Sequence, residues 1–347
     1  MKQNDKVTAT ETLLPSSAFE TLADFLRQFF VQLVKIFTPI KARRVFIVGE
    51  GPQAEKLMRF FQRRQVGYVL QGHCSPHSLQ LKGGDLLDYL CQCWQQQVPD
   101  EIYCTLSPQS HTETIQALST FADRNFIYFR MAKPEITPAL PTPPPAFYYD
   151  NVPIVTLRRE PLASRANQVL KRAFDIVFSL VVLAILIPFV FPIIALAIKL
   201  ESRGPVFFVQ MRPGFKNKLF PCFKFRSMAV NGETERQATK NDMRITKVGA
   251  FLRKTSLDEL PQFANVLLGH MSVVGPRPNM QKQLEYYSTV IDNYAFRHFT
   301  LPGITGWAQV NGYRGETQTV EAMAQRVDLD IEYMQKWSLW TSHQNHL

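Results

Sequence analysis

The sequence predicts an α/β protein in two parts: a Rossmann-like N-terminal domain, and a second α/β domain embedded in a membrane through a re-entrant helix. Three observations carry this reading. Residues 43–133 alternate strand-like and helix-like runs, a proline-rich stretch follows, and Ile176 to Ile198 is 23 residues without a charge. A length of 347 residues allows two domains. The boundaries fall at 1–42, 43–133, 134–166 and 167–347.

Residues 1–42 precede the alternation. Phe19, Leu22, Phe25, Leu26, Phe29 and Leu33 follow helical spacing, while Glu20, Asp24, Arg27 and Lys35 interrupt the apolar surface. The pattern predicts an amphipathic helix, lying in a membrane surface or packed on the α/β domain, rather than a span. The polar start shows no continuous apolar core or cleavage site, so no signal peptide is visible.

RRVFIVGEGPQAEKLMRFF then reads as strand, glycine turn and helix. VGYVLQG, a helix near Leu86 to Gln97, EIYCTL, a helix near Thr112 to Ala122 and NFIYFRM continue the alternation. Gly49, Gly51 and Ala54 form a G-x-G-x-x-A turn, but the second strand ends on Gln71 and Gly72, with no acid for a ribose hydroxyl. A packing or regulatory role therefore outweighs dinucleotide binding. Pro134 to Pro145, PEITPALPTPPP, predicts a stiff polyproline connector within the 134–166 linker.

As a straight helix the uncharged run would extend about 35 Å, enough for a hydrocarbon core of roughly 30 Å. Pro188 lies near its middle and Pro192 follows, each removing a backbone donor and favouring a kink. Both flanks are basic, with Lys171 and Arg172 before and Lys199 and Arg203 after, which places both ends on the cytoplasmic side. A helix over 174–200 that enters, breaks near Pro188 and returns satisfies both observations. An ordinary span with a proline kink is the competing reading.

Positive charge concentrates beyond this run. Lys199 to Leu260 holds 13 Lys or Arg against 6 Asp or Glu, so +7 of the chain's formal +10 lies there. No nucleic-acid motif accompanies it. Anionic lipid head groups and a nucleotide diphosphate suit this surface better than nucleic acid.

The stretch KTSLDELPQFANVLLGHMSVVGPRP, Lys254 to Pro278, sets the adjacent acids Asp258 and Glu259 among arginines. Such a constellation suits chemistry on a metal-bound phosphate: a carboxylate can be nucleophile and Mg²⁺ ligand while guanidinium groups take the phosphate charge. At a helix start, adjacent side chains diverge by about 100°, so the two acids would do different jobs. The plainer alternative is that they complement a helix N-terminus capped by Ser256 or Asp258. Arg253 lies five residues before Asp258, and Arg277 is fixed between Pro276 and Pro278. Either could offer phosphate the bidentate contact that lysine cannot. Lys224 and Arg226 in FKFRSM alternate with aromatics as in a strand and would share one face, lining the site or simply solvated.

The remaining chemistry is quiet. Cys74, Cys91, Cys93, Cys104 and Cys222 form no CxxC pair and read as reduced packing residues. The seven histidines lack metal spacing, and His270 and His298 read as structural.

Taken in order, LKRAFD, the apolar run, QMRPG, FKFRSM, TSLDELPQ, SVVGPRP and LPGITGWAQVNGYRGET resemble the bacterial sugar transferases, the monotopic polyprenyl-phosphate glycosyl-1-phosphate transferases. The motifs cover roughly Asn167 to Trp340. The resemblance implies a catalytic domain that moves a sugar 1-phosphate from a UDP-sugar to undecaprenyl phosphate, with Mg²⁺, releasing UMP. It would work at the bacterial inner (cytoplasmic) membrane, facing the cytoplasm, at the first membrane step of exopolysaccharide, capsule or O-antigen synthesis. It makes Asp258 the nucleophile and Glu259 the acid that helps place the metal, and gives Arg253 a substrate phosphate. Large members carry a Rossmann-like domain and usually an N-terminal bundle of membrane helices; this sequence begins with the amphipathic segment instead. Family members often have a small polar residue before the proline of the hairpin, where this chain has Ile187. VNGYRGET and the helix after it look most like members that use UDP-glucose. Galactose 1-phosphate is the nearest competitor, and an inactive assembly scaffold and an oxidoreductase built on Gly49 and Gly51 are the readings from other classes. A homodimer is compatible with all of this.

Overall fold

The computed structural model describes residues 42–63, 67–75, 86–94, 97–132, 147–156, 158, 160–229, 242–291, 293–315 and 319–338. The predicted amphipathic segment, the Pro134–Pro145 connector and the last nine residues lie outside the described residues.

The first part is a six-stranded sheet with helices on its faces. In chain order come β1 (Arg43–Val48), α1 (Pro52–Gln62), β2 (Tyr68–Cys74), α2 (Leu86–Cys93), β3 (Glu101–Cys104), α3 (Thr112–Arg124), β4 (Tyr128–Ala132), β5 (Phe147–Tyr149) and β6 (Val152–Thr156). The sheet order is β2-β1-β3-β4-β6-β5. The first four strands run parallel, and β6 and β5 close one edge antiparallel. Central strands covered by helices on both sides must be apolar on both faces. Accordingly Val45 and Ile47 pack with Ala54, Leu57 and Phe61 of α1, while Phe46 and Val48 pack with Leu90 of α2 and Leu118 of α3.

Two expectations need correction here. The expected linker of 134–166 includes residues 147–156, yet these form the β5–β6 hairpin; Val152, Ile154 and Thr156 are buried while the residues between are less so, the period-two pattern of a half-covered strand. Cys91 and Cys93 are exposed, so only Cys74, Cys104 and Cys222 act as core packing residues.

The second part begins with α4 (Arg165–Glu201) and continues through β7 (Phe207–Pro213), β8 (Leu219–Phe225), α5 (Lys247–Thr255), α6 (Gln262–Leu267), β9 (Ser272–Val274), α7 (Gln281–Val290), β10 (Gly303–Thr305), the short α8 (Trp307–Val310) and α9 (Val320–Lys336). β7 and β8 form an antiparallel hairpin, and β9 and β10 a parallel pair. Their shared core gathers Phe220, Cys222, Val266, Met271 and Val273 with Phe296 and Tyr333.

α4 is long and apolar enough to cross a membrane. Val177, Val181, Ile185, Phe189, Ile193 and Leu196 lie exposed along it at near four-residue steps, a continuous apolar stripe. The break predicted at Pro188 is absent as an interruption: helical structure continues from Arg165 to Glu201 with Pro188 and Pro192 inside. Each proline removes only the bond to the carbonyl four residues back, and the neighbouring bonds hold the helix together, with a bend as the usual cost.

The basic residues before the run are anchors rather than free charges. Lys171 Nζ donates to Val274 O at 2.9 Å, and Arg172 reaches the carbonyls of Val266 and Leu267 at 2.5 and 2.9 Å, at the C-terminal end of α6. Asp175 accepts from Val273 N and Ser272 Oγ, both at 3.0 Å. At the other end Glu201 accepts from Lys247 N and Val248 N, at 2.6 and 3.0 Å, and so supplies the first turn of α5. Both ends of α4 are therefore tied to the same α/β body.

Candidate active site

Three elements of that body converge on one cluster of charge. α5 is capped by Thr246, whose hydroxyl accepts from Gly249 N at 3.0 Å. A Cβ at Gly249 would sit 1.9 Å from Ser227 O, so only glycine lets α5 approach the chain leaving β8 this closely. That approach allows Arg253 Nε to donate to Ser227 Oγ at 2.8 Å. α5 then ends at Ser256, which adopts a left-handed conformation at φ 59° and redirects the chain into the single 3₁₀ turn Leu257–Glu259. Arg314 donates to the Ser256 hydroxyl across this turn.

Within the turn the two acids are treated differently. Glu259 Oε1 accepts from Lys224 Nζ at 2.7 Å and Arg277 Nη2 at 2.6 Å, and its Oε2 accepts from Arg277 Nη1 at 2.9 Å. This bidentate and lysine-assisted clamp holds the Glu259 carboxyl well below the usual carboxylate range, although its burial acts the other way. The same pair raises the Arg277 guanidinium. Asp258 is 8% exposed, and no hydrogen bond from a described residue reaches its carboxylate. Burial pushes its carboxyl up, with the Glu259 charge adding to the effect and Lys224, Arg253 and Arg277 opposing it. Neither Ser256 nor Asp258 caps a helix here: Ser256 makes no side-chain cap bond, and α6 starts after Pro261.

Arg277 is held by its backbone. Gly303 N donates to Pro276 O at 2.9 Å, Arg297 Nη2 donates to Arg277 O at 2.8 Å, and Tyr333 OH of α9 donates to Val274 O at 3.0 Å. A Cβ on Gly303 would lie 2.1 Å from Gly275 N, so the β9–β10 pairing beside Arg277 requires glycine. Arg297 is in turn paired with Asp330 at 2.8 Å, both buried.

Of the residues singled out in the sequence, the structure gathers Asp258, Glu259, Lys224, Arg253 and Arg277. Arg226 is elsewhere. β8 ends at Phe225, and the buried Arg226 turns its guanidinium to Arg203 O at 2.7 Å and Ser202 O at 2.8 Å, the carbonyls of the two residues that follow α4. Arg226 is thus neither solvated nor directed at the charge cluster, and the strand face expected to join it to Lys224 stops one residue short. His298 is buried with Nδ1 3.3 Å from Gly214 O, and burial lowers its ring to about 3, in keeping with a structural histidine. Sequence reading passed over Arg297, Asp330 and Tyr333, which support Arg277 and β9 from 20 to 59 residues away. No local spacing carries that signal.

Among the described residues no group of three or more acidic, histidine or cysteine side chains gathers as a metal site. The donor set fits Mg²⁺ only in part. Asp258 offers a hard oxygen ligand that no other described residue hydrogen-bonds, whereas both oxygens of Glu259 already accept from cations. Mg²⁺ commonly takes one or two carboxylates, substrate phosphate oxygens and water, which is the set Asp258 could complete.

Fold and site together define an α/β protein with a long apolar helix and an adjacent carboxylate pair, Asp258 buried and Glu259 partly so, set among cations. The family model for bacterial sugar transferases matches residues 166–344. The chain belongs to that family. It is 54% identical over 193 residues to the UDP-glucose:undecaprenyl-phosphate glucose-1-phosphate transferase of Escherichia coli (strain K12), covering 55% of this chain and 41% of the relative. The Klebsiella pneumoniae protein of the same name is 38% identical over 306 residues, covering 86% and 65%. The undecaprenyl-phosphate galactose phosphotransferase of Salmonella typhimurium is 42% identical over 197 residues, covering 52% and 39%. The chain thus spans less than two thirds of the length of these relatives.

Proposed function

We propose that this protein transfers glucose 1-phosphate from UDP-glucose to undecaprenyl phosphate and releases UMP. The observation that carries the reading is the division of labour in the acid pair: Glu259 is clamped by Lys224 and Arg277, while the Asp258 carboxylate beside it has no hydrogen bond from another described residue. An Asp258 oxygen attacks the sugar-linked β-phosphorus, the bond to the bridging oxygen breaks, and UMP leaves with that oxygen. The undecaprenyl phosphate oxygen then attacks the same phosphorus and the Asp258 carboxylate departs. Arg253 and Arg277 bind the phosphates. Glu259 fixes Arg277 and Lys224 in place rather than attacking. Mg²⁺, when bound with Asp258 as ligand, supplies charge neutralisation at the diphosphate. Glucose is favoured over galactose by the 54% identity to a glucose-named relative against 42% to the galactose-named one.

The same reading carries the finer parts of the fold. The parallel strands β2-β1-β3-β4 with their intervening helices support a Rossmann-like first domain. The exposed apolar stripe of α4, with both helix ends tied to one α/β body, supports a re-entrant helix bent near Pro188 in the inner membrane, its catalytic body on the cytoplasmic side among anionic lipids. The product would then enter exopolysaccharide, capsule or O-antigen assembly. A homodimer is part of the proposal only as an assembly that leaves the site free.

The test is a half-reaction. Protein in membranes, given radiolabelled UDP-glucose and Mg²⁺ without undecaprenyl phosphate, is expected to acquire label and release a stoichiometric burst of UMP. Product formed by the wild type without labelled enzyme under rapid quench would favour direct attack by the lipid phosphate. UMP release from UDP-galactose alone would change the sugar, and release from no UDP-sugar would favour an inactive scaffold.

A further inference from the structure

Lys224 and Arg277 each donate to Glu259, so both share their charge between that carboxylate and any phosphate, and the hairpin side of the site carries a further cation. In the β7–β8 register Phe208 faces Lys224, Gln210 faces Cys222 and Arg212 faces Phe220. Alternation along each strand puts Arg212 and Gln210 on the face that carries Lys224. Arg212 Nη2 donates to Gln210 Oε1 at 2.7 Å, and among the described residues no carboxylate pairs with its guanidinium. It lies close enough to Arg277 and Glu259 for both to bear on its ionisation, and burial works against its charge. An arginine desolvated next to an existing arginine, with only a neutral amide as partner, is costly unless an anion completes the set. Arg253, bonded to Ser227 Oγ, is the comparable cation on the opposite side.

We infer that Arg212 is a further phosphate-binding residue of this site, its guanidinium fork taking oxygens of a substrate phosphate beside Arg277. The inference rests on the proposed transfer reaction. Two substrates bring the same chemistry, the diphosphate of the nucleotide sugar and the monophosphate of the polyprenyl acceptor.

The experiment uses the full chain in membranes with Arg212→Gln and Arg212→Lys, read in two half-reactions. The first is the UMP burst from UDP-glucose without lipid, and the second is discharge of preformed labelled enzyme by undecaprenyl phosphate. At least about a tenfold loss is expected in one of them, smaller in Arg212→Lys, because lysine keeps the charge but not the planar fork. A lost burst with raised KM for UDP-glucose assigns the contact to the donor diphosphate; a normal burst with slow discharge assigns it to the acceptor. Both half-reactions at wild-type rates in both variants would overturn the inference. If Arg212→Gln does not fold, Arg212→Lys keeps the stem and charge in the hairpin and the same two readouts decide. A wild type that gives no burst, no discharge and no lipid-linked product with both substrates present would overturn the transfer reaction itself, which separates that failure from this one.

Discussion

Asp258 and Glu259 are neighbours in sequence with opposite electrostatics, and their difference predicts opposite responses to mutation. The folded Asp258 carboxyl is raised mainly by burial, so its ionised form costs stability, and that cost appears as pH rises above the ordinary aspartate range. Asp258→Asn is therefore expected to melt at a higher temperature than wild type at pH 7, with the gap closing on acidification towards pH about 4, while turnover and covalent labelling fall by at least about a thousandfold. Equal melting at both pH values would mean that burial does not govern this carboxyl. Glu259 has the other sign. Its folded carboxyl is depressed, so its contribution is fully present above the usual glutamate range and is lost only as pH falls further. Glu259→Gln weakens the hold on Arg277 and Lys224, and is expected to lower stability at neutral pH by about 1–3 kcal/mol, as when a part-buried charged hydrogen bond is lost. A thermal shift series on the two variants would show one rising and the other falling. Arg277→Lys, which keeps charge but loses the two-pronged contact with Glu259, should slow turnover by about 1–3 kcal/mol with the protein folded, whereas the exposed Lys218 changed to Arg should matter little. At this scale the acid pair and Arg277 were legible because adjacent acids and a proline-fixed arginine are local patterns. Arg226 was misread because its partners are backbone carbonyls 23 and 24 residues away, which no side-chain pattern announces.

At the scale of elements, α4 separates what hydropathy reveals from what it hides. The uncharged run, its length and its prolines are compositional and were readable. The anchoring of its ends was not. Lys171 and Arg172 look like flanking charges of a membrane segment, but each donates to a carbonyl of the β9 and α6 region, contacts made across 94 to 103 residues. Charge counting does not register these bonds, and they, with Arg226 at Ser202, add a second and independent case for both ends lying on one side. The expected result is that Asn167→Cys and Ser202→Cys, in a background without the native cysteines, both resist a membrane-impermeant thiol reagent in intact cells and both react after permeabilisation. Reaction of one alone in intact cells would make α4 a span. Arg226→Met should test the C-terminal tie separately. It leaves the carbonyls of Ser202 and Arg203 without their donor, so a loss of about 1–3 kcal/mol in stability is expected, with KM for the nucleotide sugar unchanged.

Across the whole molecule, a proline-rich connector between two α/β parts suggests bodies that move independently, and the alternation of β1 to β4 was legible for the same reason as the connector: both are composition and period. The contact between the parts was not legible, since it joins side chains far apart in sequence. Arg158 donates to Asp123 of α3 at 3.0 Å and to Asn293 of the second part at 2.8 Å, and its guanidinium lies 4.5 Å from the Phe296 ring. Tyr128 of β4 packs against Phe299 at 5.3 Å between ring centroids, inside the core cluster that also holds Val273 and Val274 of β9. A sheet strand and the strand leading to Arg277 thus share one hydrophobic core, which should make them unfold together. Phe299 is buried, so Phe299→Ala should cost about 3–5 kcal/mol. If the core is shared, that cost will appear in native-state hydrogen exchange as lost amide protection in both β4 and β9. Loss confined to β9 and its neighbours, with β4 as protected as in the wild type, would show instead that the sheet folds as an independent unit and that the contact with Tyr128 carries no coupling.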